Sequence, residues 1–319
     1  MKRFLVAAMM AAATAAHGQD YPNKPIRMLV PFAPGGAVDT TARVLAQAMQ
    51  QRVNWQFVVE NRPGGNGFIA TTAVQKAAPD GYTLLMAHTG EFAVNPALFE
   101  NIPYELERDF APITMVSDAP MLYLAKAQAP FNNFRELIAA AKAKPDTITF
   151  GSAGNGSINH LAGEWLAQAA GIKLVHVPYK GGAPAAAAVA AGDVDFGVMA
   201  VPGALPHMKS GRGKVIGIST AKKSPLDASW ATPRDAGIQD LDASIWVGLF
   251  APKGTPQAVI DRLNKEVRET LRLPDVQKRF VESGGAEAVG MTPAEFLERI
   301  KSDAERYKRV VQKGGVKPG

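Results

Sequence analysis

The chain has 319 residues, no cysteine and a formal net charge of +6. The lack of cysteine excludes disulfides, thiolate metal sites and thiol nucleophiles, and the basic residues are spread along the chain rather than gathered with aromatic ones, which argues against a nucleic-acid partner. About 300 residues beyond the N-terminal segment predict roughly two domains, whose cores are stabilised by packing alone.

Residues 1–18 are predicted to form a secretory signal peptide. Lys2 and Arg3 precede an apolar run from Phe4 to Ala16, and small residues follow it. The run is too short to span a bilayer. We therefore expect an exported protein that begins near Gln19, and the loss of the two cations lowers its net charge by two, to +4.

The next part of the chain alternates short apolar runs with helical patterns. We predict strands at residues 26–30, 56–60 and 84–87, and helices at residues 40–52 and 67–78. Such βαβ alternation predicts a parallel sheet that is covered by helices.

The same alternation returns after Pro130 and predicts a second sheet. Helices are expected at residues 134–143, 158–170 and 184–191, and strands at residues 147–150, 174–177, 195–199 and 215–219. The C-terminal third is predicted to be helical, with helices that start at Thr255-Pro256 and at Thr292-Pro293, where a cap residue precedes a proline.

These elements predict an α/β protein of two domains, each a doubly wound, mainly parallel sheet flanked by helices. Two apolar stretches, residues 113–125 and 244–250, are interpreted as strands that cross between the domains. Domain 1 is then discontinuous and contains residues 19–122 and 244–319, and domain 2 contains residues 123–243.

Three glycine-rich loops each follow a predicted strand and precede a predicted helix. They are FAPGGAVDTTAR at residues 32–43, GSAGNGSINH at 151–160 and YKGGAPA at 179–185. Glycines leave backbone N–H groups uncovered at the positive end of a helix, which suits an anion. One such loop is equally consistent with a tight turn in which Asp39 caps the helix. Three of them, at the carboxyl ends of strands, predict a ligand held between two domains.

Several side chains near these loops are candidate ligand contacts. Ser152, Asn155 and Ser157 carry hydroxyl and amide groups, and Tyr179 is a candidate wall of the site. His88 ends the third strand at the same rim, where it is either a ligand donor or a loop histidine satisfied by water.

No motif for catalysis or for a cofactor occurs in the sequence. GxxxxGK[ST], HExxH, GxSxG and a GxGxxG with an acidic partner are all missing, and PGGNGF at 63–68 is a weak imitation of the last. His160 and Glu164 lie four residues apart and could share a metal. With so few histidines available, His160 is expected instead to cap or line the cleft, and Lys180 is a weak candidate to oppose a carboxylate.

Seven motifs, in this order, carry a resemblance that covers the whole chain after the signal peptide. They are YPNKPIRMLVPFAPGGAVDTTARVLA, VVENRPGGNG, PDGYTLL, GSAGNGSINHLAGE, VPYKGGAPA, GDVDFGVM and WVGLFAPKGTP. The sequence resembles the periplasmic solute receptors of tripartite tricarboxylate transporters, the Bug family. The resemblance implies a two-domain clamshell of the type II-like periplasmic binding proteins, located in the periplasm. It also implies a small carboxylate ligand that is bound rather than transformed, and membrane permease subunits as partners.

The resemblance also implies roles for the loops. Residues 34–39 and 152–157 resemble the pair of loops that grips one carboxylate, and residues 179–182 and 88–91 resemble the loops that meet the other end of the ligand. Ala37 stands where many relatives carry serine or threonine, and Glu91 adds a negative charge, so both argue against a tricarboxylate. The candidate ligand-binding residues are Pro34, Gly35, Gly36, Ala37, Asp39, His88, Thr89, Ser152, Asn155, Gly156, Ser157, His160, Tyr179, Gly181 and Gly182.

Other functions stay open at this point. An exported hydrolase or lyase could act on a carboxylic acid with His88 or His160 as base, although no nucleophile or acid partner is found. The receptor could instead serve as the ligand-binding part of a sensor, or as a clamshell that has lost its ligand and binds a partner. We expect a monomer, without catalytic residues, metal or cofactor.

Overall fold

The computed structural model describes residues 21–314 and residue 316. The predicted signal peptide, residues 1–18, lies outside the described residues. The α/β fold class is confirmed, since strands and helices alternate along the chain and helices flank two linked sheets.

The first sheet is built on three parallel strands. These are β1 (Ile26–Val30), β2 (Phe57–Asn61) and β3 (Thr83–His88), with β1 in the middle. The helices of this part are α1 (Ala37–Val53), α2 (Phe68–Gln75), α3 (Asn95–Leu98) and α4 (Leu106–Asp109), with a 3-10 turn at Gly65–Gly67 and a π turn at Gly90–Val94.

One long strand, β4 (Phe110–Lys126), belongs to both sheets. Its first part pairs with β9 (Ser244–Pro252), and its last part, Met121–Lys126, pairs with β7 (Phe196–Ala200) and β8 (Gly213–Ile218). Strand β9 also pairs with β3, so β9 lies in the first sheet alone.

The second sheet repeats the plan of the first. Strands β5 (Thr149–Ser152), β6 (Val175–Pro178) and β7 are parallel. The helices here are α5 (Phe134–Ala143), α6 (Ile158–Ala170), α7 (Gly182–Ala191) and α8 (Val201–Lys209), with a 3-10 turn at Pro233–Ala236. The C-terminal elements are α9 (Gln257–Leu271), α10 (Pro274–Gly284), β10 (Glu287–Ala288) and α11 (Pro293–Gly314).

The long strand makes both sheets mixed rather than mainly parallel. Strand β4 is antiparallel to β9, and β9 is antiparallel to β3, so β4 runs in the direction of β3. In the second sheet β4 is antiparallel to β7. Strand β4 therefore leaves the first sheet at the carboxyl ends of β1–β3. Because it is antiparallel to β7, it enters the second sheet at the carboxyl ends of β5–β7. The carboxyl ends of both parallel sets therefore face each other.

The predicted strands and main helices are present, with shifted ends, but helix α8 was not expected. Pro202 and Pro206 disguise it. Pro202 lies in the first helical turn, where proline is well tolerated, whereas Pro206 lies inside the helix. The capping box at Thr292 is confirmed, because its hydroxyl accepts from the Glu295 amide while the Glu295 carboxylate accepts from the Thr292 amide. Thr255 does not cap α9. Its hydroxyl donates to the Pro252 carbonyl, and Pro256 directly precedes the helix.

A continuous apolar core lies against both sheets. Trp246 and Phe250 of β9 and Tyr123 of β4 are fully buried in it, and a smaller cluster around Leu122 and Val189 lies under helices α7 and α8. Burial of such side chains contributes about 1.5–3 kcal/mol each. The rim at which the two sets of strands meet is therefore carried by a rigid support.

Candidate functional site

A cavity of about 510 Å³ lies between the facing strand ends of the two sheets. The three predicted glycine loops meet in its wall, at residues 31–38, at residues 153 and 156–159, and at residues 180–184. A fourth glycine loop, residues 63–67, joins them, together with His88, Gly90, Asn95, Ala200, Gly203 and Ile245. The fourth loop follows β2 and precedes α2, so it has the same strand-to-helix pattern by which the other loops are found.

Five helices begin at the wall of this cavity. Their N-cap residues all line it, and these are Gly36 for α1, Gly67 for α2, Ser157 for α6, Gly181 for α7 and Ala200 for α8. Ser157 alone among them forms a side-chain cap bond. The first N–H groups of a helix have no partner inside the helix and carry a partial positive charge. The cavity is therefore surrounded by backbone hydrogen-bond donors.

The lining residues include no carboxylate. Their titratable side chains are His88 and Lys180, and Lys180 is exposed. Since helix ends and a lysine both favour negative charge, the electrostatics of the cavity suit an anion.

The loop before α1 is held from behind by Asp39. This buried carboxylate accepts from the Gly35 amide at 2.9 Å, from Arg43 and from Asn61. Burial alone would raise the pKa of Asp39, but the hydrogen bonds from Arg43, Gly35 and Asn61 outweigh it and keep that pKa below its usual value. Gly35 has a φ of +86°, a conformation that glycine adopts without strain. Asp39 therefore fixes the loop and does not line the cavity.

The GSAGNGS loop is held by two histidines that lie beneath it. The Gly156 amide donates to Nδ1 of His160 at 3.1 Å, and Oγ of Ser152 lies 2.6 Å from Nε2 of His176. The two imidazole rings are stacked, with centroids 3.7 Å apart and an interplanar angle of 7°. Ser157 caps α6 by accepting from the His160 amide.

His176 was not recognised in the sequence, where it appears as one residue of a strand. Burial, and then the neighbouring His160, lower its pKa to about 4. His160 is buried and points its Nε2 toward Glu164, with 3.7 Å between the two atoms. Within residues 21–314 and 316, no group of three or more histidine, aspartate or glutamate side chains converges as metal ligands would.

The YKGG loop is tied to the GSAGNGS loop through the backbone. The Tyr179 amide donates to the Ser152 carbonyl at 3.0 Å, and the Gly181 amide donates to the Ala153 carbonyl at 3.1 Å. The Tyr179 ring packs against the smaller apolar cluster and does not line the cavity.

On the first sheet, His88 faces the cavity and Glu91 lies behind it. Oε2 of Glu91 is 2.7 Å from Nδ1 of His88 and accepts from the His88 amide at 2.8 Å. Thr89 is fully buried and links β3 to β9, because its hydroxyl donates to the Ser244 carbonyl and accepts from the Trp246 amide.

The structure thus divides the predicted residues into two groups. Those that line the cavity are Pro34, Gly35, Gly36, Ala37, His88, Gly156, Ser157, Gly181 and Gly182, and those that do not are Asp39, Thr89, Ser152, Asn155, His160 and Tyr179. Asn155 is exposed, and the other five are used in the supporting contacts described above. The sequence did not single out Phe32, Asn66, Asn95, Asn159 or Ile245, which the fold brings to the wall.

The sequence matches a known family along most of its length. The family described as "Tripartite tricarboxylate transporter family receptor" matches residues 41–316. Protein BugT of Bordetella pertussis is 34% identical over 315 residues, which cover 98% of this chain and 96% of BugT.

Solved structures show the same fold. An R. palustris protein with adipate has a TM-score of 0.88 at 29% identity, and the match covers 94% of this chain and 100% of that one. MatC from Rhodopseudomonas palustris with bound malate has a TM-score of 0.81 at 30% identity, with 91% and 100% covered. In the part of this chain that the structure describes, no helix is both long enough and apolar enough to cross a membrane.

Proposed function

Since the chain belongs to the tripartite tricarboxylate transporter receptor family, and is therefore a binding receptor rather than an enzyme, we propose that it captures a small carboxylate in the periplasm and delivers it to membrane permease subunits. The predicted signal peptide would export it there. The alternative of a hydrolase or lyase with His88 or His160 as base is set aside by the family, and Nδ1 of His160 is already engaged by the Gly156 amide.

The observation that carries this proposal is the convergence of five helix N-termini on a cavity without carboxylates. Each helix end stabilises a nearby anion by about 0.3–1 kcal/mol when exposed and by up to about 2 kcal/mol when partly buried. Several ends that act on one carboxylate hold it without an arginine. Adipate and malate, which accompany two similar structures, are both carboxylates, and this supports the same ligand class here.

Within the cavity, we assign the first carboxylate of the ligand to the glycine loops. Gly36 and Ala37 would offer amides from the first sheet, and Gly182 would offer one from the second. The amides of Gly35, Gly156 and Gly181 already donate to Asp39, His160 and Ala153 and hold the loops in shape. The supporting residues Asp39, Ser152 and His160 would act through these loops.

The proposed domains, residues 19–122 with 244–319 and residues 123–243, would close around the ligand. Support comes from β4, which pairs in both sheets and is the kind of shared element that bends during hinge closure. Small-angle scattering should show a smaller radius of gyration at saturating ligand, and an unchanged radius would count against closure.

The binding proposal is tested with a panel of acids on the purified protein. Adipate, malate, succinate, glutamate, hexanoate and benzoate are compared by thermal unfolding and then by calorimetry. A ligand at about 100 times its Kd stabilises the folded state by about 2.7 kcal/mol, which raises the midpoint by about 5 °C for a chain of this size.

Uncharged amides of the same acids serve as controls and should give no shift. Mass spectrometry after long incubation should recover the bound acid unaltered. If no carboxylate in a wider panel raises the midpoint, the cavity does not have the proposed function.

A further inference from the structure

Glu91 is a fully buried carboxylate directly behind the cavity wall. Its Oε2 contacts the amide and Nδ1 of His88, while its Oε1 is buried without a hydrogen-bond partner. No lysine or arginine of the described chain forms a salt bridge with it; its single ionic contact is His88. A Cβ at Gly67 would overlap Oε1, so glycine at that position makes room for this carboxylate.

A buried charge without a counter-charge is costly, and an unpaired carboxylate oxygen adds to the cost. The pair formed by Glu91 and His88 is neutral overall only when it holds two protons. One proton lies between Oε2 and Nδ1, where the Gly90 amide also approaches Nδ1 at 3.0 Å. A proton on Oε1 would have no acceptor, because that atom is buried without a partner among the described residues, whereas a proton on Nε2 can face the cavity. The second proton is therefore placed on Nε2.

Nε2 of His88 is the ring atom that is free to meet a ligand. Nδ1 is engaged by Glu91, and among the described residues Nε2 has no hydrogen-bond partner and is not one of the buried atoms that lack one. The ring packs against Phe32 with centroids 4.6 Å apart and forms part of the cavity wall. The hydrogen-bond partner of Nδ1 determines whether Nε2 is a donor or an acceptor, and here Nε2 is an N–H donor.

We propose that His88 determines specificity by donating from Nε2 to a second carboxylate of the ligand, and that Glu91 is the positioning residue that keeps Nε2 protonated. This inference rests on the proposed function, in which the first carboxylate lies among the helix N-termini. The site would therefore prefer dicarboxylates to monocarboxylates of equal length. Lys180 is the competing partner for a second carboxylate, but its side chain is exposed and its ammonium is hydrated.

The test compares pairs of acids that have equal numbers of carbons: adipate with hexanoate, glutarate with pentanoate, and succinate with butyrate. Calorimetry on the parent should give a dicarboxylate that binds about tenfold or more tightly than its monocarboxylate, as expected for one charge-assisted hydrogen bond. His88→Phe keeps a ring against Phe32 and removes both nitrogens. In this variant the ratio of the two affinities should fall to near one, while the monocarboxylate affinity stays within about threefold of the parent.

Glu91→Gln tests the positioning role. The His88 amide needs an acceptor where Oε2 lies, so the glutamine oxygen takes that place and Nδ1 must carry the hydrogen. Nε2 then presents a lone pair to the second carboxylate, and the affinity ratio should fall although His88 is still present. Thermal unfolding and monocarboxylate affinity show whether a variant is folded, and a purely structural role would weaken both acids equally.

Lys180→Gln tests the competing partner on the opposite wall. The loss of this cation should weaken monocarboxylates and dicarboxylates alike and should therefore keep the parent ratio. If no acid binds the parent, the proposed function itself fails. If acids bind but the parent shows no preference for dicarboxylates, or His88→Phe keeps the ratio, or Lys180→Gln abolishes it, the inference about His88 is overturned while the proposed function stands.

Discussion

His88 in the first wall of the cavity, which the loops of the first sheet form, and His160 behind the second wall, which the loops of the second sheet form, use the same side chain differently. Nδ1 of His88 is bound to a buried carboxylate, and its ring lines the cavity. Nδ1 of His160 accepts from the Gly156 amide, and its ring stacks on His176 behind the wall. In the proposed site the first histidine would meet the ligand, whereas the second maintains the shape of a loop that would meet it.

The N-termini of α1 and α6 also differ in whether a side chain occupies their backbone amides. Gly36 caps α1 without any side-chain bond, so the amides that follow are available. Ser157 caps α6 and accepts from the His160 amide, while its hydroxyl donates to the Gly154 carbonyl at 2.7 Å. A side chain thus holds the backbone at the start of α6, whereas the start of α1 leaves its first amides free for an anion.

The largest effect is expected at the uncapped helix end, from Gly36→Leu. Gly36 has a φ of −83°, and the nearest atom to a Cβ there would be the Ala33 carbonyl oxygen at 3.8 Å, so the fold should tolerate the change. The rest of the leucine would cover the α1 amides. We expect carboxylate affinity to fall by about 100-fold or more, which corresponds to about 2.7 kcal/mol.

Calorimetry gives the affinity, and circular dichroism with thermal unfolding reports on the fold. Gly36→Ala is the matched control, because its methyl group leaves most of the amides open. Binding by Gly36→Leu at the strength of the parent would show that the anion is not held at this helix.

The sequence was most informative about the loops and least informative about their support. Glycines that follow predicted strands can be recognised directly in the sequence. The carboxyl ends of parallel strands lie at one edge of a sheet, so Gly36, Gly156 and Gly181 could be predicted to meet. His176 and Ser152 could not be paired from the sequence, because their contact depends on the parallel register of β5 and β6.

Asp39 and residues 63–67 show two further limits of prediction from the sequence. Asp39 beside glycines resembles a ligand contact, but the turn at Gly35 directs its carboxylate back to the loop amide. The loop at 63–67 resembles a dinucleotide motif only weakly and otherwise contributes to the family resemblance, although its position after β2 is the better guide to the cavity. The sequence predicts that residues 113–125 cross between the domains, but it does not show at which residue of β4 the pairing passes from one sheet to the other.

The second prediction concerns the histidine that supports the loop. His160→Leu removes the acceptor of the Gly156 amide and leaves a buried donor unpaired, which costs about 1–3 kcal/mol. We expect about tenfold weaker binding of monocarboxylates and dicarboxylates alike, because the loop belongs to the proposed site of the first carboxylate. His88→Phe, in contrast, should affect only the dicarboxylates.

His160→Asn is the control for this prediction, since its Oδ1 can take the place of Nδ1 and accept from Gly156. Its affinity should lie within about threefold of the parent. Equal losses in the leucine and asparagine variants would show that the hydrogen bond to Gly156 is not what supports the loop.

The smallest effect is expected in the pH dependence of stability, through His176. Burial first, and then His160, lower its pKa from 6.5 to about 4. The folded protein therefore favours the neutral ring, so the contribution of His176 to stability is fully present above pH 6.5 and is lost as the pH falls toward about 4. Because the side chain is only partly buried, we expect a loss of about 1–2 kcal/mol rather than the full value of the shift.

His176→Phe keeps a ring against His160 but cannot be protonated, and its free energy of unfolding should fall less steeply than that of the parent across this range. Carboxylates titrate alike in both proteins, so the difference between the two denaturation profiles isolates His176, and parallel profiles would show that the stacked pair does not resist protonation.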